Sequence, residues 1–463
     1  VAIGYRALRI NTSGDRNIAI GLDSMYSNTL GVKNTAVGFS ALRLNTIGCA
    51  NTALGRSALY NNTTGNFNTA VGQNALVSNT VGISNTAVGT SAMGNNTTGS
   101  CNTALGLSAL CANTTGINNT AIGFCALRSN TIGTRNTAVG VYALRSNTTG
   151  AYNTSVGFNS LLQNTTGTNN SAFGRYALCL NQTGGGNSAF GALALQCAQS
   201  PSNNSAFGYR ALQLTTTGAK NTAVGKDALR GNTTGSCNIA MGNYTLCNNT
   251  SGTNNVAIGY RALRINTSGD RNIAIGLDSM YSNTLGVKNT AVGVGYYSHY
   301  GAGSVSNTIA VGYKASTSST NHHTVWGNSE NNVCNCVYVA WSTVSDCRDK
   351  TNIKALPDNL GLRFIKKLKP VSFNWDNRET YVRECKCDYG VKDGSLAGTK
   401  EHYGIIAQDL REVLDELEVR FDGLGHDDQK DAYRVTYEEL IAPMIKAIQE
   451  LEARVSYLEE QQK

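Results

Sequence analysis

The sequence predicts an all-β solenoid, a trimeric parallel β-roll or β-helix of 17-residue coils, followed by a small α+β domain that ends in a coiled-coil helix. Three observations predict it. A unit with the consensus N-T-A-V-G-x-x-A-L-x-x-N-T-T-G-x-x recurs without insertion or deletion from Asn17 to about residue 305. Inside each unit, small and bulky apolar residues alternate at the pitch of a β-strand. From Ser345 onward the repeat gives way to charged, helix-periodic sequence.

A short, strict period marks a solenoid, in which each repeat is one coil and its neighbours supply the burial that one coil lacks. The opening asparagine falls at Asn17, Asn34, Asn51 and Asn68, and so on to Asn289. Residues 1–38 reappear verbatim at 256–293, an offset of 255 residues or 15 coils. Val1 therefore holds the second position of a coil, and the chain reads as starting inside a longer protein. About 17 to 18 coils at ~4.8 Å each predict a rod near 85 Å long.

Two short segments in each repeat alternate in a way that suits β-strand. The first, N-T-A-V-G, keeps a small residue at its third position (Ala36, Ala53, Ala70) with a larger one beside it (Val37, Leu54, Val71). Neighbouring strand residues point to opposite faces, so both faces are apolar. If the alanines line a narrow lumen, the aliphatic row faces outward along the whole rod. A continuous apolar stripe calls for a partner, which predicts a homotrimer with that stripe at the three-fold axis.

Glycines at the fifth position (Gly38, Gly55) and the fifteenth (Gly48, Gly65) read as corners, adopting conformations that a side chain resists. Asparagines at the first and twelfth positions, such as Asn34 with Asn51 and Asn45 with Asn62, predict amide ladders along the axis. In the repeat from Asn187, Pro201 replaces the corner glycine, which predicts a kink or loop. At Asn307 the register is expected to slip by one residue. The Trp- and Tyr-containing stretch 317–344 then reads as cap and junction, so the solenoid spans 1–316.

Composition excludes several classes. Fifty glycines, four prolines, 7% aromatic and 15% charged residues do not describe an ordinary enzyme core. No stretch reaches the roughly 18 apolar residues of a membrane helix. Residues 1–344 carry net charge +13 and residues 345–463 net −5, which give the overall +8. The basic rod suits either an attraction to anionic glycans or the solubility of a repetitive β surface, the latter being the simpler reading. Six acidic residues in 344 leave little scope for the paired carboxylates of a glycan-cleaving spike.

Of the 13 cysteines, Cys111, Cys179 and Cys247 share one repeat position four coils apart, roughly 19 Å and beyond disulfide reach. They read as free thiols made in a reducing compartment. Cys334-x-Cys336 and Cys385-x-Cys387 lack the usual zinc-knuckle spacing, so no metal is expected. Nothing calls for a cofactor or a nucleic-acid partner.

The C-terminal module, residues 345–463, has Leu410, Val413, Leu414 and Leu417 on one helix face. Its tail, about 438–463, places Ile441, Met444, Ile448, Leu451, Val455 and Leu458 at alternating steps of 3 and 4. That is the seam of a short coiled coil, and these residues are the candidate trimerisation contacts.

Two resemblances follow. The N-T-A-V-G-x-x-A-L unit resembles the left-handed parallel β-roll repeats in the heads of trimeric autotransporter adhesins, with the N-T-T-G corner as a departure. The series S-D-C-R-D-K-T-N-I, F-I-K-K-L-K-P-V-S-F-N-W, Y-G-I-I-A-Q-D-L and Y-E-E-L-I-A-P-M-I-K-A-I-Q-E-L resembles the intramolecular chaperone auto-processing domain of endosialidase tail spikes, phage tail fibres and neck appendages, also found in myelin regulatory factor. The second resemblance implies that the domain trimerises the chain, guides folding of the solenoid and then cuts itself off by a serine–lysine mechanism. By motif position, Ser345 would be the nucleophile, Val344–Ser345 the scissile bond and Lys350 the general base. Asp346 and Arg348 would support the loop, together with Asp349. The chain is thus expected to be a virion-surface fibre or spike shaft, assembled in the host cytoplasm. It would attach to a host-surface receptor, a glycan being one candidate, and to the virion or tail baseplate through a region before Val1. A bacterial surface adhesin and an ice-binding solenoid are the alternatives.

Overall fold

The computed structural model describes residues 1–293, 305–312, 324–326, 353–374, 399, 401–427 and 432–462. The chain divides into two compact units, Val1–Cys336 and Val337–Lys463.

The first unit is a parallel β-solenoid. Its strands are β1 (Ala2–Ile3), β2 (Ile18–Ile20), β3 (Thr35–Val37) and so on every 17 residues to β18 (Thr290–Val292). Each pairs in parallel with the next; Thr35 faces Thr52, Ala36 faces Ala53 and Val37 faces Leu54. The third-position alanines are fully buried, as are the eighth-position alanine and ninth-position leucine, for example Ala41 and Leu42. The lumen is therefore lined chiefly by alanine and plugged by one leucine or methionine per coil, as Met25, Met93 and Met280 show, while the fourth-position row stays half-buried or exposed. Where serine replaces both alanines, Ser155 Oγ and Ser160 Oγ bond each other at 2.5 Å, so the lumen holds no unpaired hydroxyl there.

Each coil has one strand, not two. Gly38 ends β3 with φ 137°, and a Cβ on it would lie 2.5 Å from the carbonyl oxygen of Gly55. Beyond it the seventh, ninth and seventeenth residues, here Ser40, Leu42 and Ala50, take left-handed φ of 56°, 51° and 55°. Such angles cannot continue a strand and cost a non-glycine residue about 1–2 kcal/mol. They are held by bonds between coils: Leu42 N–H donates to Ala58 O at 2.9 Å and Ser40 N–H to Leu22 O at 2.8 Å. The turn at Leu42 also delivers its side chain into the lumen, where burial offsets about 2 kcal/mol of that strain.

Both amide ladders form. Asn34 Nδ2 donates to Gly48 O at 2.8 Å, and Asn17 Oδ1 accepts from Asn34 N–H at 2.9 Å. Asn45 Nδ2 donates to Asn28 Oδ1 at 2.8 Å and to the same Gly48 O at 2.9 Å. The two ladders thus meet at the fifteenth-position carbonyl. That glycine is required for space rather than for its φ: a Cβ on Gly48 would lie 2.4 Å from Asn45 Oδ1 and 2.5 Å from Gly65 O.

Two further expectations need correction. Pro201 causes no kink: Asn187 Nδ2 donates to Pro201 O at 2.8 Å, as it would to a corner glycine, and the next strand stays 17 residues on. The pyrrolidine fits because the twelfth residue of that coil is Ala198, which has no amide to strike it. The cost is a broken ladder, which leaves Asn181 Oδ1 and Thr215 Oγ1 buried without a partner. At the far end the register slips by two residues, not one. β19 (Ile309–Val311) aligns Ala310 with Ala291, 19 residues on, because the lumen position demands the small side chain. Thr308 rather than Asn307 takes the ladder position, its N–H donating to Asn289 Oδ1 at 3.1 Å. Of the 317–344 stretch, only β20 (Thr324–Trp326) is described, parallel to β19.

Cys111, Cys179 and Cys247 are free thiols. Burial pushes the Cys179 thiol up to about 11.

Candidate assembly site

The C-terminal unit is built around helix α2 (Ala407–Glu416), whose Leu410 and Leu414, with Leu417 just beyond, point into one core. Leu360 and Phe364 of the preceding segment and Leu440 of the following one complete it. Strand β21 (Pro370–Asn374) pairs antiparallel with β22 (Glu401–Ile405), and β23 (Leu424–Asp427) with β24 (Ala432–Val435). Gly404 is needed on β22, because the Tyr437 hydroxyl would lie 2.4 Å from a Cβ there. The same hydroxyl accepts a bond from Ile405 N–H at 2.9 Å.

Helix α3 (Ile441–Gln461) has two different halves. Its root is docked: Pro443 and Ala447 are buried, and Glu450 Oε2 accepts from Leu362 N–H at 2.7 Å. Leu362 opens the short helix α1 (Leu362–Ile365), and its neighbour Gly361 leaves room for that carboxylate, which a Cβ would meet at 2.3 Å. Lys446 Nζ lies 2.9 Å from Asp358 Oδ1 and 3.4 Å from Glu450 Oε1; hydrogen bonding to Asp358 raises its pKa. From Leu451 to Gln462 every residue is exposed.

The predicted seam lies on the undocked side. Ile441, Met444, Ile448, Leu451, Val455 and Leu458 are each between 43% and 66% exposed, and Ile445 adds a further apolar side chain at 52%. The free half of α3, about 11 residues or ~16 Å, is too short to be stable as an isolated helix. It is a solvent-facing helix that exposes Leu451, Val455 and Leu458, and among the described residues nothing covers it.

Ser345, Lys350, Val344, Asp346 and Arg348 lie outside the described residues, as do the two Cys-x-Cys pairs. Among the described residues no cluster of His, Cys, Asp and Glu is arranged to hold a metal, and no helix is long and apolar enough to cross a membrane. Sequence reasoning missed the clamp of Gly361, Leu362, Glu450, Lys446 and Asp358. The i,i+4 spacing of Lys446 and Glu450 marks one helix face, but nothing in the sequence says that this face reaches back 88 residues.

Residues 345–417 match the family model described as chaperone of endosialidase. The match runs through α2 and stops before β23, β24 and α3. Comparison with curated proteins and with solved structures finds no match to the chain. The chain therefore combines a solenoid of 17-residue coils with a C-terminal segment of the endosialidase-chaperone type.

Proposed function

We propose that this chain is the shaft of a homotrimeric viral fibre or spike, a phage tail fibre or large-virus appendage that serves host attachment, and that its C-terminal unit trimerises the chain and sets its register. The observation that carries this reading is α3: its root is docked on one side, and six exposed apolar side chains on a coiled-coil spacing run along its other side, three on the root and three on the free half. The outward fourth-position row, Val37, Leu54, Val71 and their successors, supports a second self-contact along the shaft.

The solenoid explains why such a unit is useful. Outside the coils that hold Ala198 and Thr215, each coil offers its neighbour the same backbone bonds and the same asparagine amides, so a pairing shifted by one whole coil loses few contacts away from its ends. A trimerising clamp at one terminus removes that degeneracy before the coils propagate. Self-cleavage would then make assembly irreversible and leave a kinetically stable fibre. In that step Ser345 Oγ attacks the Val344 carbonyl carbon while Lys350 takes its proton. The Ser345 nitrogen leaves as an amine, taking that proton back from Lys350, and water then hydrolyses the ester to free the Val344 carboxylate and the Ser345 hydroxyl.

Two substitutions in the full chain test the reading. Ile448→Asp with Leu451→Asp should yield monomer by analytical ultracentrifugation where the parent is a trimer; a trimer from both removes α3 from assembly. Ser345→Ala should abolish a fragment of 119 residues, 345–463, that the parent releases on denaturing gels. Full-length product from both would leave a chaperone without self-cleavage.

A further inference from the structure

The verbatim repetition of residues 1–38 at 256–293 places the same side-chain cluster twice on the solenoid. In the second copy, Asp278 is buried at the seventh position of its coil, in the left-handed conformation at φ 54°. Arg261, at the same position one coil earlier, grips it in a two-pronged pair, Nε to Oδ1 at 2.7 Å and Nη2 to Oδ2 at 2.8 Å. That grip fixes the plane of the guanidinium, which lies 4.9 Å from the ring centre of Tyr260 and 5.4 Å from that of Tyr281. Arg264 Nη1 donates to Tyr281 Oη at 3.0 Å. The first copy repeats this geometry: Arg6 grips Asp23 with both contacts at 2.6 Å and lies 5.2 Å from Tyr5 and 5.4 Å from Tyr26. Arg9 approaches Tyr26 Oη at 3.5 Å.

We propose that these two clusters are paired binding ladders for a linear acidic polysaccharide. The second holds two arginines against one aspartate and the first three, with Arg43 Nε 3.6 Å from Asp23 Oδ2, so each keeps a net positive charge after its internal pairs are made. The coils before the second copy extend the array: Lys226 lies 5.5 Å from the Tyr244 ring, and Asp227 pairs with Arg210 at 2.9 Å and Arg230 at 3.9 Å. Across this stretch five cations face two carboxylates, and Tyr209 and Tyr260 stay 44% and 43% exposed. The cations sit at the sixth, seventh and tenth positions of coils 204–220, 221–237 and 255–271, with none in coil 238–254 between them, and so line one side of the solenoid as an array that fits an extended anionic polymer. The exposed tyrosine rings supply flat apolar faces for sugar rings, which a phosphate polymer lacks. Fifteen coils separate the copies, roughly 70 Å, so one long polymer engaging both gains avidity. The proposal deepens the host-attachment reading above by naming a ligand class and its site.

The test uses the full chain, its oligomeric state measured in the same preparation, with long-chain dextran sulfate, neutral dextran and polyphosphate as probes. Tyr260→Ala with Arg264→Gln breaks one copy and Tyr5→Ala with Arg9→Gln the other; both spare the arginine that covers the buried aspartate. Arg128→Gln with Arg175→Gln removes two charges elsewhere on the solenoid. Dextran sulfate should bind, neutral dextran should not, and polyphosphate should bind more weakly. Breaking one copy should weaken binding by about tenfold or more and breaking both by about a hundredfold, while the control pair changes it less than about twofold. Equal loss in the control, tighter binding of polyphosphate, no binding of dextran sulfate by an intact trimer, or identical losses from one and both copies would each overturn the proposal. Loss of the trimer itself would instead count against the assembly reading.

Discussion

Replacing Asn113 by Ala, Gly116 by Ala, and both together, probes the amide ladder where it is regular. Asn113 Nδ2 donates to Asn96 Oδ1 at 2.8 Å and Gly116 O at 3.0 Å, and its Oδ1 accepts from Asn130 Nδ2 at 2.9 Å. Asn113→Ala leaves Asn96 Oδ1 and one N–H of Asn130 buried and unpartnered, at about 1–3 kcal/mol each, or about 2–6 kcal/mol together. Gly116→Ala drives a Cβ to 2.4 Å from Asn113 Oδ1 and 2.5 Å from Gly133 O, an overpacking worth about 1–3 kcal/mol or more. In the double variant the first of those clashes is gone, so the costs should fall short of additivity by about 1–2 kcal/mol. The Ala198 and Pro201 pair is the natural counterpart of that change, with proline rather than alanine at the glycine position. Hydrogen exchange read coil by coil, with the denaturant midpoint of the whole solenoid, measures both effects. An Asn113→Ala cost below about 1 kcal/mol would mean that the backbone ladder alone holds the coils. Strict additivity would refute the explanation given for Pro201.

Four further outcomes follow from the same structure. Ala104 is fully buried against the lumen, so Ala104→Leu should cost about 1–3 kcal/mol or more and lower the denaturant midpoint. Phe190 is stacked between Phe173 at 4.7 Å and Phe207 at 5.0 Å; Phe190→Ala should lose two ring contacts of about 0.5–1.5 kcal/mol each in the same assay. Exposed Cys101 and Cys237 should react with iodoacetamide at neutral to mildly alkaline pH well before Cys179, as followed by mass spectrometry of the peptides. Burial holds the Cys179 thiol protonated up to about 11 in the fold, against an ordinary value of 9.0, so the unfolded chain loses this proton first. Stability should therefore decline as pH rises through that window, and Cys179→Ala should flatten the decline.

Much of the fold is legible because the repeat is a code read many times. Ala36 and Val37 alternate at strand pitch, and their recurrence identifies lumen and outer row without a structure. The asparagine ladders follow from the same logic, since identical amides stacked at one coil spacing have each other as nearest partners. The conformation of the A-L segment was less accessible: alternation around Leu42 looks like strand, and only the inter-coil bonds impose the left-handed φ that forbids one. In the C-terminal unit the seam spacing from Ile441 to Leu458 was plain, because helical periodicity is local. The clamp of Glu450 on Leu362 was not, because it joins residues far apart in sequence.

The sequence by itself determined the period, the small side chains of the lumen, the amide ladders and the apolar seam, since each depends on spacing between near neighbours or exact repeats. Tertiary structure alone decided what depends on space and angle. It absorbed Pro201 because Ala198 vacates the position its ring needs, and it set the last slip at two residues because Ala310 must reach the lumen. It also brought Arg261 onto Asp278 across a coil boundary, so that two charges 17 residues apart become one oriented cluster. Steric room and bond direction belong to the closed coil, and a linear string of residues carries neither.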